Sequence, residues 1–299
     1  MIVPCGSAIM DMIPEPVPGG CNMNVAVTAA RLGAPTAFLG RVSTDHYGDL
    51  LIKHLADSGV DLSLVERGPE RTARAIVSTL PSPTFDFDAD GAADSALESN
   101  DLSPVGPGPH IIHGGTNVDY RGRTAHTIVS LIETSLGLVS CDPNIRPVLI
   151  DDRSEWEPWH DRWVNATSLY RCSDEDLDWI WPSRAPSSVA AELLDRGPKI
   201  VIVTAGSSGC QVFGDGWSVS ASSPAVTVKD TVGAGDGFVG SLLTDLHALD
   251  VRDPAALARI SKDDWRSIAQ RACEVAAVVC TRIGADPPWA SELPELTGM

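Results

Sequence analysis

The chain has 299 residues, with 26 Gly, 22 Pro and 43% apolar residues, which is ordinary for a folded soluble protein. Twenty-two basic against 40 acidic residues leave a net charge of −18. With no Lys/Arg cluster in any window, that field argues against nucleic acid or an anionic membrane surface as a partner. No run reaches the ~18 consecutive apolar residues of a membrane helix. Residues 1–10 have no basic segment before their apolar stretch, so no signal peptide is expected there.

The elements alternate from the start. Residues 2–9 read as a first strand, interrupted at Gly6 and Ser7, and a loop containing Pro14, Pro16 and Pro18 follows as far as Gly19-Gly20. Asn22 or Asn24 then offers a cap for a helix over 24–32 that stops at Gly33. Residues 36–42 read as a strand and 45–58 as a helix, the rhythm of a doubly wound α/β domain. Residues 72–87 break it: 75–80 and 84–87 read as a hairpin around Pro81-Ser82-Pro83. With 9–14, this hairpin is expected to form a small antiparallel sheet projecting from the main body.

The alternation then resumes. Strands are predicted at 111–113, 138–141 and 199–204, helices at 124–136 and 189–196, and a hairpin at 211–213 and 217–220. Two long helices are predicted over 235–249 and 264–280. Trp156, Trp159, Trp163, Trp179 and Trp181 crowd one segment of a chain otherwise poor in aromatics. They serve either as an aromatic platform for a sugar or base, or as a helix packed on the core or on a second subunit. The seven cysteines contain no Cys-x-x-Cys pair and lie mostly among apolar residues, a pattern of reduced, buried thiols in a cytoplasmic protein. No His-Glu-x-x-His run or close Cys/His cluster suggests zinc.

The chemistry concentrates in Asp230-Thr-Val-Gly-Ala-Gly-Asp236-Gly-Phe. Gly233, Ala234 and Gly235 are small enough for backbone N–H groups to converge at the start of a helix, where its partial positive charge adds to an anion cradle. A carboxylate inside such a cradle opposes anion binding, yet it is well placed to take a proton from an attacking hydroxyl. The segment has no Gly-Lys-Ser/Thr and lacks the dinucleotide glycine spacing, so neither of those phosphate loops applies. The same residues also fit a glycine turn with a first-turn helix acid.

Residues 230–238 closely resemble the C-terminal signature of the phosphofructokinase-B (PfkB), or ribokinase-like, carbohydrate kinases. Gly19-Gly20-Cys-Asn-Met-Asn24-Val-Ala-Val-Thr-Ala-Ala-Arg31-Leu-Gly33 resembles that family's N-terminal signature. Phe38-Leu-Gly-Arg41, Asp142-Pro-Asn-Ile-Arg146, Val203-Thr-Ala-Gly206-Ser-Ser-Gly209 and Arg282-Ile-Gly-Ala285 follow in the family's order. The resemblance implies one kinase domain over 1–299. Its fold would be a three-layer α/β/α sandwich with a small β-sheet lid made from about 9–14 and 72–90.

The resemblance also implies roles. Asp236 resembles the general base, and Gly233, Ala234 and Gly235 the hole for the transferring phosphoryl group. Asp11, Gly19, Gly20 and Asn24 match sugar-binding positions, Arg146 a basic residue near substrate and phosphate, and Thr204, Gly206 and Gly209 the ATP-binding strand and turn. The family's magnesium motif is present only as Ser173-Asp-Glu-Asp176, with Asp176 acting on Mg²⁺ through water. Asp230 remains from a monovalent-cation (K⁺) site at which Pro288 replaces a hydroxyl residue. Asp88 and Ala89 occupy positions where acid-sugar kinases carry Tyr-Arg.

The expected reaction is ATP-dependent phosphorylation of a primary hydroxyl of a small neutral sugar, most like the fructokinase branch, by a homodimer. The alternatives are a kinase for ribose, a nucleoside or 2-keto-3-deoxygluconate, or a non-catalytic sugar- or nucleotide-binding regulator.

Overall fold

The computed structural model describes residues 1–13, 15–78, 84–98, 105 and 110–293. The first third of the chain holds strands β1 (Ile2–Pro4), β2 (Ile9–Ile13), β3 (Glu15–Gly19), β4 (Gly40–Ser43), β5 (Val65–Gly68), β6 (Arg74–Ser78) and β7 (Thr84–Asp88). Helices α1 (Cys21–Arg31) and α2 (His46–Asp57) lie among them. Next come β8 (Ile111–Gly114), α3 (Gly122–Thr134), β9 (Leu138–Cys141), α4 (Arg153–Ala166), β10 (Leu169–Ser173), α5 (Asp174–Ile180) and α6 (Pro186–Leu194). The chain continues through β11 (Ile200–Thr204), β12 (Cys210–Gly214), β13 (Trp217–Ala221), α7 (Ala234–Ala248), α8 (Pro254–Ala258) and α9 (Lys262–Cys280).

Seven strands form the central sheet in the order β1-β8-β9-β10-β11-β12-β13. The first five run parallel, and β12 and β13 add antiparallel at one edge. Successive strand residues point to opposite faces, and here both faces are buried. Ile2, Ile111, Leu138, Leu169 and Ile200 pack with residues of α1, α7 and α9. Their neighbours Val3, Ile112, Val139, Tyr170 and Val201 pack with residues of α3, α4, α5 and α6. Burial on both faces explains why these strands read as continuous apolar runs, and it gives the three-layer sandwich expected from the sequence.

The lid is a second sheet in the order β3-β2-β6-β7. It is mixed rather than antiparallel, because β2 pairs parallel with β6. The expected proline loop before Gly19 is strand β3, antiparallel to β2. Pro16 and Pro18 are tolerated because β3 is an edge strand with one unpaired side. The apolar run over 2–9 divides at Gly6 (φ 117), with β1 going to the central sheet and β2 to the lid. Pro14 and the Pro81-Ser82-Pro83 turn fall outside the described residues.

Helix α1 begins at Cys21, three residues earlier than expected, with Gly20 as its cap and no side-chain capping bond. Asn22 and Asn24 are therefore not caps and are buried inside the helix's first turns. The tryptophan segment is core. Trp163 is fully buried and Trp156 nearly so. Trp156 stacks on His160 at 4.5 Å and meets Tyr120 and Trp179 edge-on at 5.5 and 5.1 Å. Each buried indole removes ~150–250 Å² from water, several kcal/mol of gross burial at ~25 cal/mol per Å². That excludes Trp156 and Trp163 as a sugar platform.

Candidate active site

In open α/β sheets, ligands sit beyond the carboxyl ends of the strands, and the chemistry-bearing residues here gather there. Asp142 follows β9, Arg171 lies mid-way along β10 and Ser173 closes it, Thr204 ends β11, and α7 begins at Ala234. Gly233 caps α7 at φ 77, a left-handed conformation that favours glycine. A methyl built there would lie 2.5 Å from the Ala285 side chain. Glycine thus lets the 230s loop close against the segment at Ala285 and start the helix abruptly. The N–H groups of that first turn have no intrahelical acceptor by construction; Ala234 N donates to Thr231 O at 3.2 Å, which leaves Gly233, Gly235 and Asp236 to present donors where the helix dipole is positive.

Asp236, in this turn, is buried and accepts a hydrogen bond at Oδ2 from Asn24 Nδ2 at 2.8 Å. The bond joins α1 to α7 across 212 residues of sequence and brings the two signature segments into one site. Burial raises the Asp236 carboxyl from 3.8 to about 6, while the Asn24 bond opposes that shift. Asn24 keeps a buried Oδ1 without a partner among the described residues, an acceptor suited to a substrate hydroxyl.

Asp11 reaches the site from the lid and lies over Gly19 of β3, where a methyl would sit 2.1 Å from its Oδ2. Burial raises Asp11 to about 7; Asp236 adds to the shift and Arg146 opposes it. Arg146 also acts electrostatically on Asp236, so its charge reaches both carboxylates, and Asn24 is bonded to one of them. Gly20 caps α1 at φ 108. On the other side, Thr204 ends β11, and Gly206 (φ 48) and Gly209 (φ 86) bound the tight turn leading into β12.

Two residues assigned to cations have their carboxylates engaged within the chain. Asp176 Oδ1 accepts from Ile145 N at 2.7 Å, and its Oδ2 accepts from Ser173 N and Ser173 Oγ at 2.9 and 2.7 Å. Asp176 thus completes the capping box of α5, whose cap is Ser173, and pins the 142–146 loop at Ile145. Asp230 accepts from Val232 N at 3.1 Å and Gly284 N at 2.8 Å. Among the described residues, no three His, Cys, Asp or Glu side chains cluster as a metal cage.

Sequence reasoning missed four participants. Arg171 is buried and donates from Nη1 to Asp142 Oδ2 at 2.6 Å and from Nη2 to Thr204 Oγ1 at 2.5 Å. Asp142 Oδ1 accepts from Asn144 N at 3.1 Å, and Asn144 adopts φ 39. Asn144 Nδ2 in turn meets Cys21 Sγ at 2.7 Å, a thiol that burial and the acidic surroundings push well up. The Asp-Pro-Asn spacing pointed to this loop, but a lone Arg in a strand gave no signal.

A model of the pfkB family of carbohydrate kinases matches residues 14–292. The chain belongs to the pfkB family of carbohydrate kinases. Within it, the chain is 32% identical to a fructokinase of Rhizobium leguminosarum bv. trifolii over 280 residues, covering 89% of this chain and 86% of that protein. Among solved structures, the fructokinase of Xylella fastidiosa with bound ATP superposes with a TM-score of 0.88 at 26% identity, covering 95% of this chain and 93% of that one. The fructokinase of Vibrio cholerae O395 bound to fructose, ADP and calcium ion gives 0.83 at 26% identity over 95% and 94%. This family member shares the ribokinase-like fold of those structures, as its sequence led us to expect.

Proposed function

We propose that the chain transfers the γ-phosphoryl group of ATP to a primary hydroxyl of a small neutral sugar of the fructose type, with Asp236 as general base. The observation that carries this reading is the buried Asp236 carboxylate on the glycine-bounded N-terminus of α7, hydrogen-bonded to Asn24 from the opposite signature. Asp11 and Asn24 hold the sugar's hydroxyls, Arg146 faces the reacting hydroxyl, and Thr204 with the 206–209 turn receives the nucleotide. The sugar O–H gives its proton to Asp236 as its oxygen forms a bond to the γ-phosphorus, while the bond from that phosphorus to the β–γ bridging oxygen breaks and ADP leaves. The N–H donors of Gly233 and Gly235 stabilise the equatorial oxygens of the transferring group.

The Asp176 carboxylate is committed to three hydrogen bonds, so a magnesium ion arriving with ATP phosphates would meet this side chain only through water. A potassium ion at Asp230 would have to share oxygens that already accept two backbone N–H groups.

Asp88 pairs with both Arg71, at 2.6 Å, and Arg74, so it does not set an uncompensated charge against a carboxylate-bearing sugar. Discrimination against a carboxylate-bearing sugar rests instead on Ala89, which offers no cation. Support for the homodimer is an apolar Ile76, 47% exposed on the lid sheet; sedimentation velocity reads the state directly. No described helix is long and apolar enough to cross a membrane, which accords with the cytoplasmic placement we propose.

The test is ADP release with Mg-ATP against a panel of fructose, other neutral hexoses, ribose, nucleosides and 2-keto-3-deoxygluconate. Fructose or another neutral hexose should give the highest kcat/KM. A preference for a nucleoside or the acid sugar moves the chain to another branch, and no turnover on any acceptor favours a binding protein.

A further inference from the structure

Arg171 carries a positive charge into the site beside that of Arg146, the cation the sequence motifs assigned there. Its guanidinium spans the ends of three adjacent strands, donating to Asp142 beyond β9 and to Thr204 at the end of β11 from its own place on β10. The group turns the edge that carries its two Nη atoms toward the first turn of α7. A methyl built on Gly235 would stand 3.2 Å from Nη1 and 3.3 Å from Nη2, and Cζ is 5.9 Å from the Phe238 ring centre. The side chain is only 9% exposed, and its Nε is buried with no hydrogen-bond partner among the described residues. A buried ion pair contributes little net stability compared with apolar residues of the same volume, so stability alone does not explain a guanidinium here.

We propose that Arg171 is a positioning residue for phosphoryl transfer, locking the substrate loop at Asp142 to the nucleotide strand at Thr204 and setting a fixed positive charge behind the 233–235 cradle. The inference rests on the kinase reading and adds a residue to it. Charge spreads over the transferring group and the leaving phosphate chiefly in the transition state, so the effect belongs to kcat rather than to ground-state affinity. Arg171 also helps hold Asp236 ionised against its burial. The other groups facing Asp236 are Asn24 from α1, Asp142 and Arg146 from the loop after β9, and Asp11 from the lid.

The experiment compares Arg171→Gln, Arg171→Lys and wild type, each checked for folding by thermal melting. Arg171→Gln should lower kcat by ~10²–10³-fold. KM for sugar and the calorimetric Kd for ATP should stay within ~3-fold, because ground-state contacts are not the ones removed. The acid limb of its kcat/KM profile should move to higher pH, since a cation near the base is gone. Arg171→Lys keeps the charge without the two-pronged geometry and should recover at least ~10-fold of the loss. If Arg171→Gln does not fold, Asp142→Asn/Arg171→Gln removes both charges together and is read against Asp142→Asn.

The proposal is overturned by a folded Arg171→Gln with kcat within ~5-fold of wild type, by Lys and Gln variants equally impaired, or by ATP affinity falling in step with kcat. A wild-type chain inactive on every acceptor refutes the kinase reading instead. The role of Arg171 is then read from ADP with tetrafluoroaluminate, a stand-in for the transferring phosphoryl. Its affinity should fall ~10-fold in Arg171→Gln while that of ADP alone holds; an unchanged affinity overturns the proposal.

Discussion

Asp236→Asn should reduce activity and raise stability at the same time, and the structure gives a size to both effects. The amide keeps the side chain's volume and can still accept the Asn24 hydrogen bond through its oxygen. It cannot take the substrate's proton, and loss of a general base typically costs ~10²–10⁴-fold in kcat with little change in KM. On the stability side, burial raises the carboxyl from 3.8 to about 6. At ~1.4 kcal/mol per pH unit, that is ~3 kcal/mol by which the ionised group destabilises the fold at pH 8. The sign follows from linkage: a carboxyl with a raised folded pKa costs stability above that value, and the cost fades as pH falls toward its unfolded value. Asp236→Asn should therefore melt above wild type by several degrees at pH 8, since ~1 kcal/mol shifts Tm by ~2–4 °C in larger domains. The difference should close near pH 4. Steady-state kinetics and calorimetric melts at both pH values check this. Turnover within ~10-fold of wild type would refute the base assignment, and a variant less stable than wild type at pH 8 would falsify the burial argument.

Asn24→Ala removes the bond that holds Asp236 down, so the acid limb of kcat/KM should move to higher pH; an unmoved limb means that Asn24 does not tune the base. Gly233→Ala forces a side chain into φ 77 against Ala285 and should cost ~1–3 kcal/mol in denaturant unfolding, with kcat falling at least ~10-fold as the donors tilt; wild-type stability would refute the cradle geometry. From pH 5 to 8 the free chain's Tm should fall. Asp11 and Asp119, raised to about 7 by burial, and Asp94, Asp236 and Asp245, raised to about 6, take stability from the fold as pH climbs from about 4 through those values; His113 and His160, lowered to about 3, return only part of it up to about pH 6.5. A Tm that rises steadily over that range would contradict this balance. Sugar should increase amide-exchange protection in Arg74–Ser78 and Thr84–Asp88, because a closed lid keeps water from competing with the hydroxyl; unchanged exchange there speaks against closure.

The central sheet was legible because its strands are buried on both faces and its helices carry one apolar stripe each. Asp45 illustrates this at single-residue scale: the expected start of a helix at 45 is its cap, accepting from Gly48 N at 2.7 Å. The lid was legible as a break in rhythm but not in its pairing. Proline signals a loop locally, and only the position of β3 at a sheet edge makes Pro16 and Pro18 compatible with a strand. In the site, the glycine cradle and Asp236 announced themselves through local composition. Asn24 was visible too, but its partner stands 212 residues away, and the alternative as a helix cap was equally consistent with sequence. Arg171 sits in Leu169–Ser173, a strand that was not predicted at all, and its meaning depends on Asp142 and Thr204 arriving from neighbouring strands. Such a residue becomes readable only when the strand order is known.

An acidic chain that binds a polyanion must cancel charge locally, and the site does so group by group. Among the described residues, Arg146 and Arg171 are the cations that act on Asp11, Asp142 and Asp236. An uncompensated carboxylate ~8 Å from a phosphate charge would repel it by ~2 kcal/mol at an effective dielectric constant of ~20. Asp142 is matched by Arg171 at 2.6 Å, and Asp230 is saturated by backbone N–H groups at 2.8 and 3.1 Å. Asp11, raised to about 7 chiefly by burial, holds its proton more readily than an exposed carboxylate, and an incoming phosphate pushes it further that way. Asp236, at about 6, stays mostly ionised at pH 7 and is opposed by Arg146 and the positive end of α7. The two carboxylates are thus driven apart by their surroundings, and the division matches the roles proposed for them. The lid's Asp11 can donate a proton to a sugar oxygen in a hydrogen bond, whereas Asp236 keeps the lone pair that the reacting hydroxyl needs.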